Sequence, residues 1–482
     1  MSEFSQLLSQ HIHNKEIKTY ALAQYCGLDR SNMYKVINGK RKPVSKEIVH
    51  KICKFMHLSP AEEMEMQEAY LITLAGPENY YRRKEVLHFF SDFRLSDVSV
   101  PAANYKLKAV SISSETAILN TPAETNRALL HIIAAELSRE DGYIRMLIQP
   151  DYEFLINILA AEDQGTLGVH IDHIICLNNN PNLTHYHNNY NLHCLKQILP
   201  LYGSRYSYNC YYYYDSIASK ISSYSLFPYV IITSECACLL TADCQRGYIT
   251  QHADSISMFS RIFDEYLKGS STLFKRIDNL FEQFNYIEDV LKNCHSGYSF
   301  QMMPCFTPFI TPELMDKCIV HNFPERERFI GMFSQYIKNV LSVHAHGTTS
   351  YIFSFDGIKH FIETGEISEY PSDIYIPLQM QDRIYLVKQL IQSCQTQNYR
   401  MLKENIGCLD NELYLYVTQY NGYLMFSPPP YSNQIYLNIE EPSLLFTFFD
   451  FCENLDSSMF FSKEDAVEQL KHLLDEYEKK DS

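Results

Sequence analysis

Residues 19–38 read TYALAQYCGLDRSNMYKVIN, and a basic tripeptide follows at residues 40–42. Two short segments with apolar residues at helical spacing flank a tight turn, Gly27-Leu28-Asp29. Thr19 and Asp29 are predicted N-caps, because their side-chain oxygens can accept hydrogen bonds from the free N–H groups of a first helical turn. Gly27 suits the left-handed backbone that ends a helix, and Leu28 fills the corner. The stretch therefore predicts two short helices that pack across a sharp turn.

The second of these helices has two distinct faces. Met33, Val36 and Ile37 form its inner, apolar face, and Asn38-Gly39 ends it. The outer face consists of polar or amphipathic residues, which are Arg30, Ser31, Asn32, Tyr34 and Lys35.

This stretch closely resembles the helix-turn-helix of the lambda-repressor-like (XRE) transcription regulators, and the resemblance extends from about Phe4 to Leu74. It rests on Ala23, Gly27, Leu28, Ser31 and the Asn38-Gly39 pair. In that family the second helix of the motif enters the major groove of DNA. The resemblance implies base contacts by Arg30, Ser31, Asn32, Tyr34 and Lys35. It implies phosphate contacts by Thr19, Asn38, Lys40, Arg41 and Lys42. The alternative is a helical bundle that serves as a protein–protein module.

The family often has Gln where this chain has Thr19 and Arg30, so its base preference cannot be transferred. Arg30 is the best candidate for a bidentate contact to guanine. The expected partner is double-stranded DNA with a palindromic operator, bound by a homodimer whose half-sites lie about one helical turn apart. The expected function is a sequence-specific transcription regulator whose large C-terminal body senses an unknown effector, forms the dimer, or does both.

Charge is distributed unevenly along the 482 residues. Residues 1–60 contain ten Lys and Arg against four Asp and Glu, a net charge of +6. Because the whole chain carries −16, residues 61–482 carry −22. Phosphates attract the first region and repel the second, so DNA contact should be confined to the N-terminal domain.

The length predicts several domains. We predict a helix-turn-helix domain at residues 1–75, a linker with a helix at 76–104, and two α/β domains at 105–278 and 279–482. The fold class is therefore multidomain, with an all-α bundle followed by a large α/β (α+β) body in two subdomains. In the body, helical patterns alternate with short strands, and hairpins are predicted between Tyr229–Thr233 and Cys238–Thr241 and around Asn421-Gly422.

The fourteen cysteines have no regular disulfide spacing, and no apolar run approaches the ~20 residues that a membrane-spanning helix needs. These features favour a cytoplasmic protein without a membrane partner.

A histidine cluster is the most suggestive feature of the body. It consists of His170, His173, His185, His187 and His193, with Asp172, Cys176 and Cys194 among them. These side chains could hold zinc, but the spacing matches no known finger, and scattered core or surface histidines are the favoured interpretation. Likewise, the thiols of Cys236, Cys238 and Cys244 are interpreted as core rather than redox-active, and Tyr211–Tyr214 as an ordinary strand.

The sequence contains no GxxxxGK[ST], GxGxxG, GxSxG or HExxH motif. The middle region resembles the phospholipase-D-like sensor domains of some regulators, but it lacks their His-x-Lys, since His193 and Lys196 stand one residue too far apart. We therefore expect no enzymatic activity, no cofactor and no metal. The alternative is an enzymatic or host-defence effector body, supported mainly by the histidine cluster.

Overall fold

The computed structural model describes residues 1–42, 45–91, 115–161, 168–178, 189–204, 206–215, 226–277, 280–292, 296–344, 349–370, 373–406, 413–426 and 434–481. Their contacts form two compact units, of which the first covers residues 1–85. The second unit, called the body below, contains the described residues from Val86 to Asn178 and from Tyr190 to Asp481. Within these ranges no helix is long and apolar enough to cross a membrane.

The first unit is all helical. Its helices are α1 (Glu3–Asn14), α2 (Thr19–Cys26), α3 (Arg30–Ile37), α4 (Lys46–Phe55) and α5 (Pro60–Ala75), followed by α6 (Pro77–Ser91), which continues into the body. One core holds the bundle together, and Phe4, Leu8, Leu22, Met33 and Ile52 are fully buried in it.

Local capping sets most of the helix boundaries in this bundle. The side chains of Ser2, Asp29, Ser45 and Ser59 each accept a hydrogen bond from the backbone N–H three residues further on. The predicted N-cap at Thr19 is wrong: Lys18 is the N-cap of α2 and Thr19 is its first helical residue, with no side-chain cap. The helix begins one residue early because Lys18 already adopts the extended backbone of a cap, and its carbonyl accepts the first helical hydrogen bond from Leu22.

The first sheet of the body has eight strands in the order β1-β7-β6-β5-β2-β3-β4-β8, of which β2, β3 and β4 are parallel neighbours. The strands are β1 (Thr116–Leu119), β2 (Tyr143–Leu147), β3 (His170–Asn178), β4 (Ser207–Asp215), β5 (Tyr229–Ile232), β6 (Ala237–Leu240), β7 (Gly247–Thr250) and β8 (Ser271–Thr272). The accompanying helices are α7 (Pro122–Leu137), α8 (Glu153–Ala161), α9 (Tyr190–Tyr202) and α10 (Ala253–Lys268).

The second sheet has six strands in the order β11-β10-β9-β12-β13-β14, parallel from β11 to β9 and antiparallel from there on. The strands are β9 (Tyr298–Gln301), β10 (Ser350–Ser354), β11 (Tyr399–Leu402), β12 (Tyr414–Val417), β13 (Gly422–Phe426) and β14 (Ile435–Ile439). The helices are α11 (Leu280–Lys292), α12 (Pro312–Cys318), α13 (Arg326–His344), α14 (Phe355–Thr364), α15 (Met380–Thr396), α16 (Pro442–Glu453) and α17 (Lys463–Asp481), with 3-10 turns at Thr307–Phe309 and Ser457–Met459.

The predicted fold class is confirmed, since a helix-turn-helix bundle precedes a large α/β body with two sheets. Both predicted hairpins form, β5 with β6 and β12 with β13. Several short elements were not predicted, among them β7, β9 and α8. β9 is buried along nearly its whole length and α8 is almost uniformly apolar. Neither therefore shows the regular spacing of apolar and polar residues from which an element is predicted.

Two glycines of the bundle provide a matched test of backbone strain. Gly27 and Gly39 both adopt a left-handed backbone, with φ of 71° and 69°. A Cβ at Gly27 would meet nothing within 4 Å, whereas a Cβ at Gly39 would lie 2.8 Å from Ser5 Oγ and 3.2 Å from the backbone nitrogen of Ser2. A side chain at either position therefore pays the same cost for the left-handed backbone. Only at Gly39 would it also collide with the start of α1.

We predict that Gly27→Ala lowers the local opening free energy of α1–α3 by about 1–2 kcal/mol, and that Gly39→Ala lowers it by more. Hydrogen exchange of the α1–α3 amides in the full chain measures this free energy. Equal losses at the two positions would contradict the close approach of Gly39 to α1.

Candidate nucleic-acid interface

The corner between α2 and α3 fixes how α3 is rotated. Gly27 ends α2 in the left-handed conformation, and the N–H of Leu28 donates to the carbonyl oxygen of Ala23 at 2.9 Å. Two residues of α3, Met33 and Val36, then enter the bundle core, where they are 0% and 3% exposed. Because helical residues lie 100° apart, burying these two side chains turns the opposite face of α3 outward.

The outer face of α3 presents the side chains that the family resemblance singled out. Arg30, Ser31, Tyr34 and Lys35 are exposed, and Asn32 is half-buried. The guanidinium carbon of Arg30 lies 5.5 Å from the centre of the Tyr34 ring. A cation at this distance from an aromatic face is attracted to it, so Tyr34 orients Arg30 along the helix surface.

Asn32 is held by two neighbours. Asp29 accepts hydrogen bonds from both the backbone and the side-chain amide of Asn32, and Arg41 Nη1 donates to Asn32 Oδ1 at 2.9 Å. The family resemblance implied a base contact for Asn32 and a phosphate contact for Arg41, but not the hydrogen bond between the two. Each end of the Asn32 amide has one partner in the free protein, so a base contact by Asn32 uses its remaining N–H and lone pair or exchanges one of these partners.

The predicted phosphate-contacting residues lie at the two ends of the motif. Asn38 and Lys40 are exposed just after α3, and Lys42, also exposed, donates to the carbonyl oxygen of Leu74 at 3.0 Å. Thr19 is half-buried in the first turn of α2, whose N-terminus has no side-chain cap. The free backbone N–H groups at such a helix start can bind an anion such as a phosphate. The phosphate would take the place of the side-chain cap that Thr19 does not provide.

A capping box stabilises the start of α5. Ser59 and Glu62 bond each other's backbone N–H groups, and Lys15 Nζ lies 3.2 Å from Glu62 Oε2. Hydrogen bonds from the backbone and side chain of Ser59, followed by the interaction with Lys15, lower the pKa of Glu62 to about 2.

The histidines of the body do not form one site among the described residues. His173 is fully buried, where its Nδ1 pairs with the Tyr208 hydroxyl at 2.7 Å and its Nε2 with the carbonyl oxygen of Ile148 at 2.9 Å. Burial lowers the pKa of His173 to about 4. His170 is exposed, and His193 Nε2 lies 3.1 Å from Asp151 Oδ1.

His185 and His187 lie outside the described residues. Among those that are described, no three His, Cys, Asp or Glu side chains converge as metal ligands.

The other two clusters have ordinary packing roles. Cys236, Cys238 and Cys244 are buried free thiols, and burial raises the pKa of each. The four tyrosines from Tyr211 to Tyr214 lie on β4, where Tyr212 packs edge-on against Tyr214 at 5.3 Å and Tyr213 contacts Tyr266 of α10.

The first unit is thus a helical bundle whose third helix presents polar and cationic side chains beside a tight corner, the architecture of a DNA-binding helix-turn-helix. A family model of the Cro/C1-type HTH DNA-binding domain matches residues 8–68. The N-terminal domain of this protein is therefore a Cro/C1-type, lambda-repressor-like helix-turn-helix.

No curated protein matches the chain. Solved structures that align with it include TrmBL2, an archaeal chromatin protein, at 9% identity over 51% of this chain and 84% of that chain, with a TM-score of 0.19. Phosphatidylserine synthase from Haemophilus influenzae Rd KW20 aligns at 10% identity over 77% and 94%, with a TM-score of 0.23. Polyphosphate kinase from Porphyromonas gingivalis aligns at 11% identity over 75% and 56%, with a TM-score of 0.21. TM-scores this low support no conclusion about the body.

The lowered pKa of Glu62 gives the bundle an acid-sensitive element. A carboxyl group with a depressed pKa contributes stability that is present above its unfolded pKa, near 4.5, and is lost as the pH falls toward about 2. We predict that the α5 amides are better protected from hydrogen exchange in the wild type than in Glu62→Gln at pH 7, and that this difference shrinks at about pH 3. Glutamine keeps the hydrogen bond of the capping box but cannot ionise. A difference that is the same at both pH values would show that ionisation of Glu62 does not stabilise α5.

Proposed function

We propose that this protein is a sequence-specific DNA-binding transcription regulator. The observation that carries the proposal is the rotation of α3: its apolar residues are locked in the core, and Arg30, Ser31, Tyr34 and Lys35 face outward. The N-terminal residues of such a helix reach base edges when it lies in the major groove. The net charge of +6 over residues 1–60 supplies the attraction to phosphates.

The exposed side chains divide into two roles. Arg30 contacts guanine through its forked guanidinium, since arginine can donate two parallel hydrogen bonds to the O6 and N7 of that base. Lys40, Lys42 and the open N-terminus of α2 at Thr19 contact phosphates and so set the register of the domain on the duplex. Arg41 both contacts a phosphate and, through Asn32, holds the start of α3.

The body joins two chains into a dimer, which brings two DNA-reading domains together, and it responds to a signal. A single helix-turn-helix covers one half-site, and pairing two of them through a dimer gives palindromic specificity. Helix α10 supports this assignment, because Met258, Ile262 and Tyr266 form one stripe along it and are 44%, 40% and 44% exposed. Side chains four residues apart lie on the same side of a helix, so a second copy can bury the whole stripe. The proposal gives the body a regulatory role and no catalytic one.

Selection of bound fragments from a random DNA pool tests the reading of bases. At about 150 mM salt the wild type should recover a palindrome with half-sites one helical turn apart. Arg30→Ala should relax one position of each half-site and lose about 1–3 kcal/mol of binding free energy. Lys40→Ala, a matched loss of one exposed cation, should recover the same sequence more weakly and with a shallower salt dependence. Identical effects of the two variants on specific and random DNA would refute the docking of α3.

Dimer formation has its own test on α10. Ile262→Glu places a charge in the centre of the exposed stripe and should shift the protein from dimer to monomer in light scattering, with a parallel loss of operator affinity. Arg261→Glu changes the neighbouring exposed position outside the stripe and should leave the dimer intact. A wild-type protein that is monomeric at micromolar concentration, with and without DNA, would exclude a dimer.

A further inference from the structure

One face of the second sheet is lined with tyrosines rather than with aliphatic side chains. The strand register places an in-line row across the sheet from β11 to β14, which consists of Tyr399, Tyr351, Ser299, Tyr416, Tyr423 and Asn438. The next row includes Gln301, Tyr414, Met425 and Tyr436. All of these side chains are buried. Each buried hydroxyl needs a hydrogen-bond partner, so burying this face costs more free energy than burying an aliphatic face of the same size.

A carboxyl group lies among these polar side chains. Glu369 follows α14, and its Oε2 accepts hydrogen bonds from Thr307 Oγ1 at 2.5 Å and Cys305 Sγ at 3.3 Å. Its Oε1 accepts from Gln301 Nε2 at 3.3 Å. Gln301 is the last residue of β9, and Cys305 and Thr307 follow it, so the cluster lies beyond the carboxyl ends of the parallel strands β9 and β10. Ligands of α/β folds bind in this position.

Glu369 has hydrogen-bond donors but no counter-ion among the described residues. Burial raises the pKa of its carboxyl group. The hydrogen bonds from Cys305, Thr307 and Gln301 oppose this rise, and no described cation contributes to lowering the pKa. In the described part of the chain no Lys, Arg or His forms an ion pair with it. Even so, the side chains of Glu369 and Cys305 are only half-buried, whereas the other described cysteines are buried. Some surface of both residues therefore remains accessible around the carboxyl group.

Aromatic rings surround the same carboxyl group. The Tyr370 hydroxyl lies 3.0 Å from Thr307 Oγ1. Tyr414 of β12 pairs in register with Gln301 of β9, which donates to Glu369, and burial raises the pKa of Tyr414.

One buried polar atom close to the Glu369 segment lacks a partner among the described residues, Gln434 Oε1. The other end of the same amide is anchored, since Gln434 Nε2 donates to the carbonyl oxygen of Ser368, the residue before Glu369, at 2.7 Å. A ligand that donates a hydrogen bond could satisfy Gln434 Oε1.

We propose that Glu369 and the tyrosines around it bind a small organic cation with an ammonium or guanidinium group. The carboxylate supplies the opposite charge and accepts charge-assisted hydrogen bonds, and the aromatic rings beside it add apolar contact area for the carbon chain of the ligand. The N–H groups of the ligand reach Gln434 Oε1 and the free acceptor capacity of Glu369 Oε1. A metal ion fits less well, because the described residues provide one carboxylate here rather than three ligands.

The role of this site as the sensor of the regulator rests on the proposed function. The binding of a cation to the site does not depend on that function. A cation that binds one arrangement of the DNA-reading domains more tightly than another would shift the population of the two. The experiment therefore measures binding in the absence of DNA, so that a failure of DNA recognition leaves its result intact.

The full-length protein is titrated by calorimetry, and its melting temperature followed, with putrescine, spermidine, agmatine, arginine and choline as probes and neutral 1,4-butanediol as the reference. At least one cation should bind and raise the melting temperature, and butanediol should not. Glu369→Gln, which keeps the shape but removes the charge, should weaken that binding about tenfold or more. Glu366→Gln, an exposed carboxyl three residues earlier, should bind as the wild type does.

Cys305 provides a readout that needs no variant, in case Glu369→Gln does not fold. The bound cation should slow alkylation of Cys305 in the wild-type protein, measured by mass spectrometry against the buried cysteines as internal controls. The proposal is overturned if no cation binds, if Glu369→Gln binds as tightly as the wild type, or if the bound cation leaves Cys305 alkylation unchanged.

Discussion

The DNA-reading surface depends on one packing constraint, the burial of Met33 and Val36 of α3 against the bundle core. The corner at Gly27 sets the direction in which α3 leaves α2, and these two side chains set its rotation. A change of one residue in helical phase would turn α3 by 100° and bring Arg30 or Tyr34 toward the core, where an unpaired cation is costly. In the proposed docking, recognition of bases is therefore tied to the stability of the bundle.

The polar groups of the motif form a connected system rather than a set of independent contacts. Asp29 caps α3 and also holds the amide of Asn32, while Arg41 approaches the same amide from beyond the helix. A phosphate near Arg41 would compete for its guanidinium and release Asn32 for other partners. If Arg41 contacts a phosphate and Asn32 a base, as proposed, the two contacts are coupled through the Asn32 side chain.

One face of the second sheet differs from the rest of the body in what it buries. Residues of both sheets share a large, mainly aliphatic core, and the buried His173 of β3 has a partner on each ring nitrogen. The tyrosine-lined face of the second sheet instead buries several hydroxyl groups, and beside it the half-buried carboxyl group of Glu369 has no cation partner among the described residues. Because buried polar groups without partners add no stability, such a face suits a binding site better than a purely structural core. This difference is the reason for placing the proposed cation site in the second sheet.

The sequence by itself determined the features that depend on residues a few positions apart. These include the turn at Gly27, the cap at Asp29, the apolar spacing that buries Met33 and the hairpin at Asn421-Gly422. One local prediction, the cap at Thr19, was wrong because the extended backbone of Lys18 decided the boundary of the helix. Only the tertiary structure joined Arg41 to Asn32, or brought Gln301, Thr307 and Glu369 together. Caps, turns and helical periods are set by local geometry, whereas contacts between distant residues follow from strand register and loop closure, which leave no periodic mark in the chain.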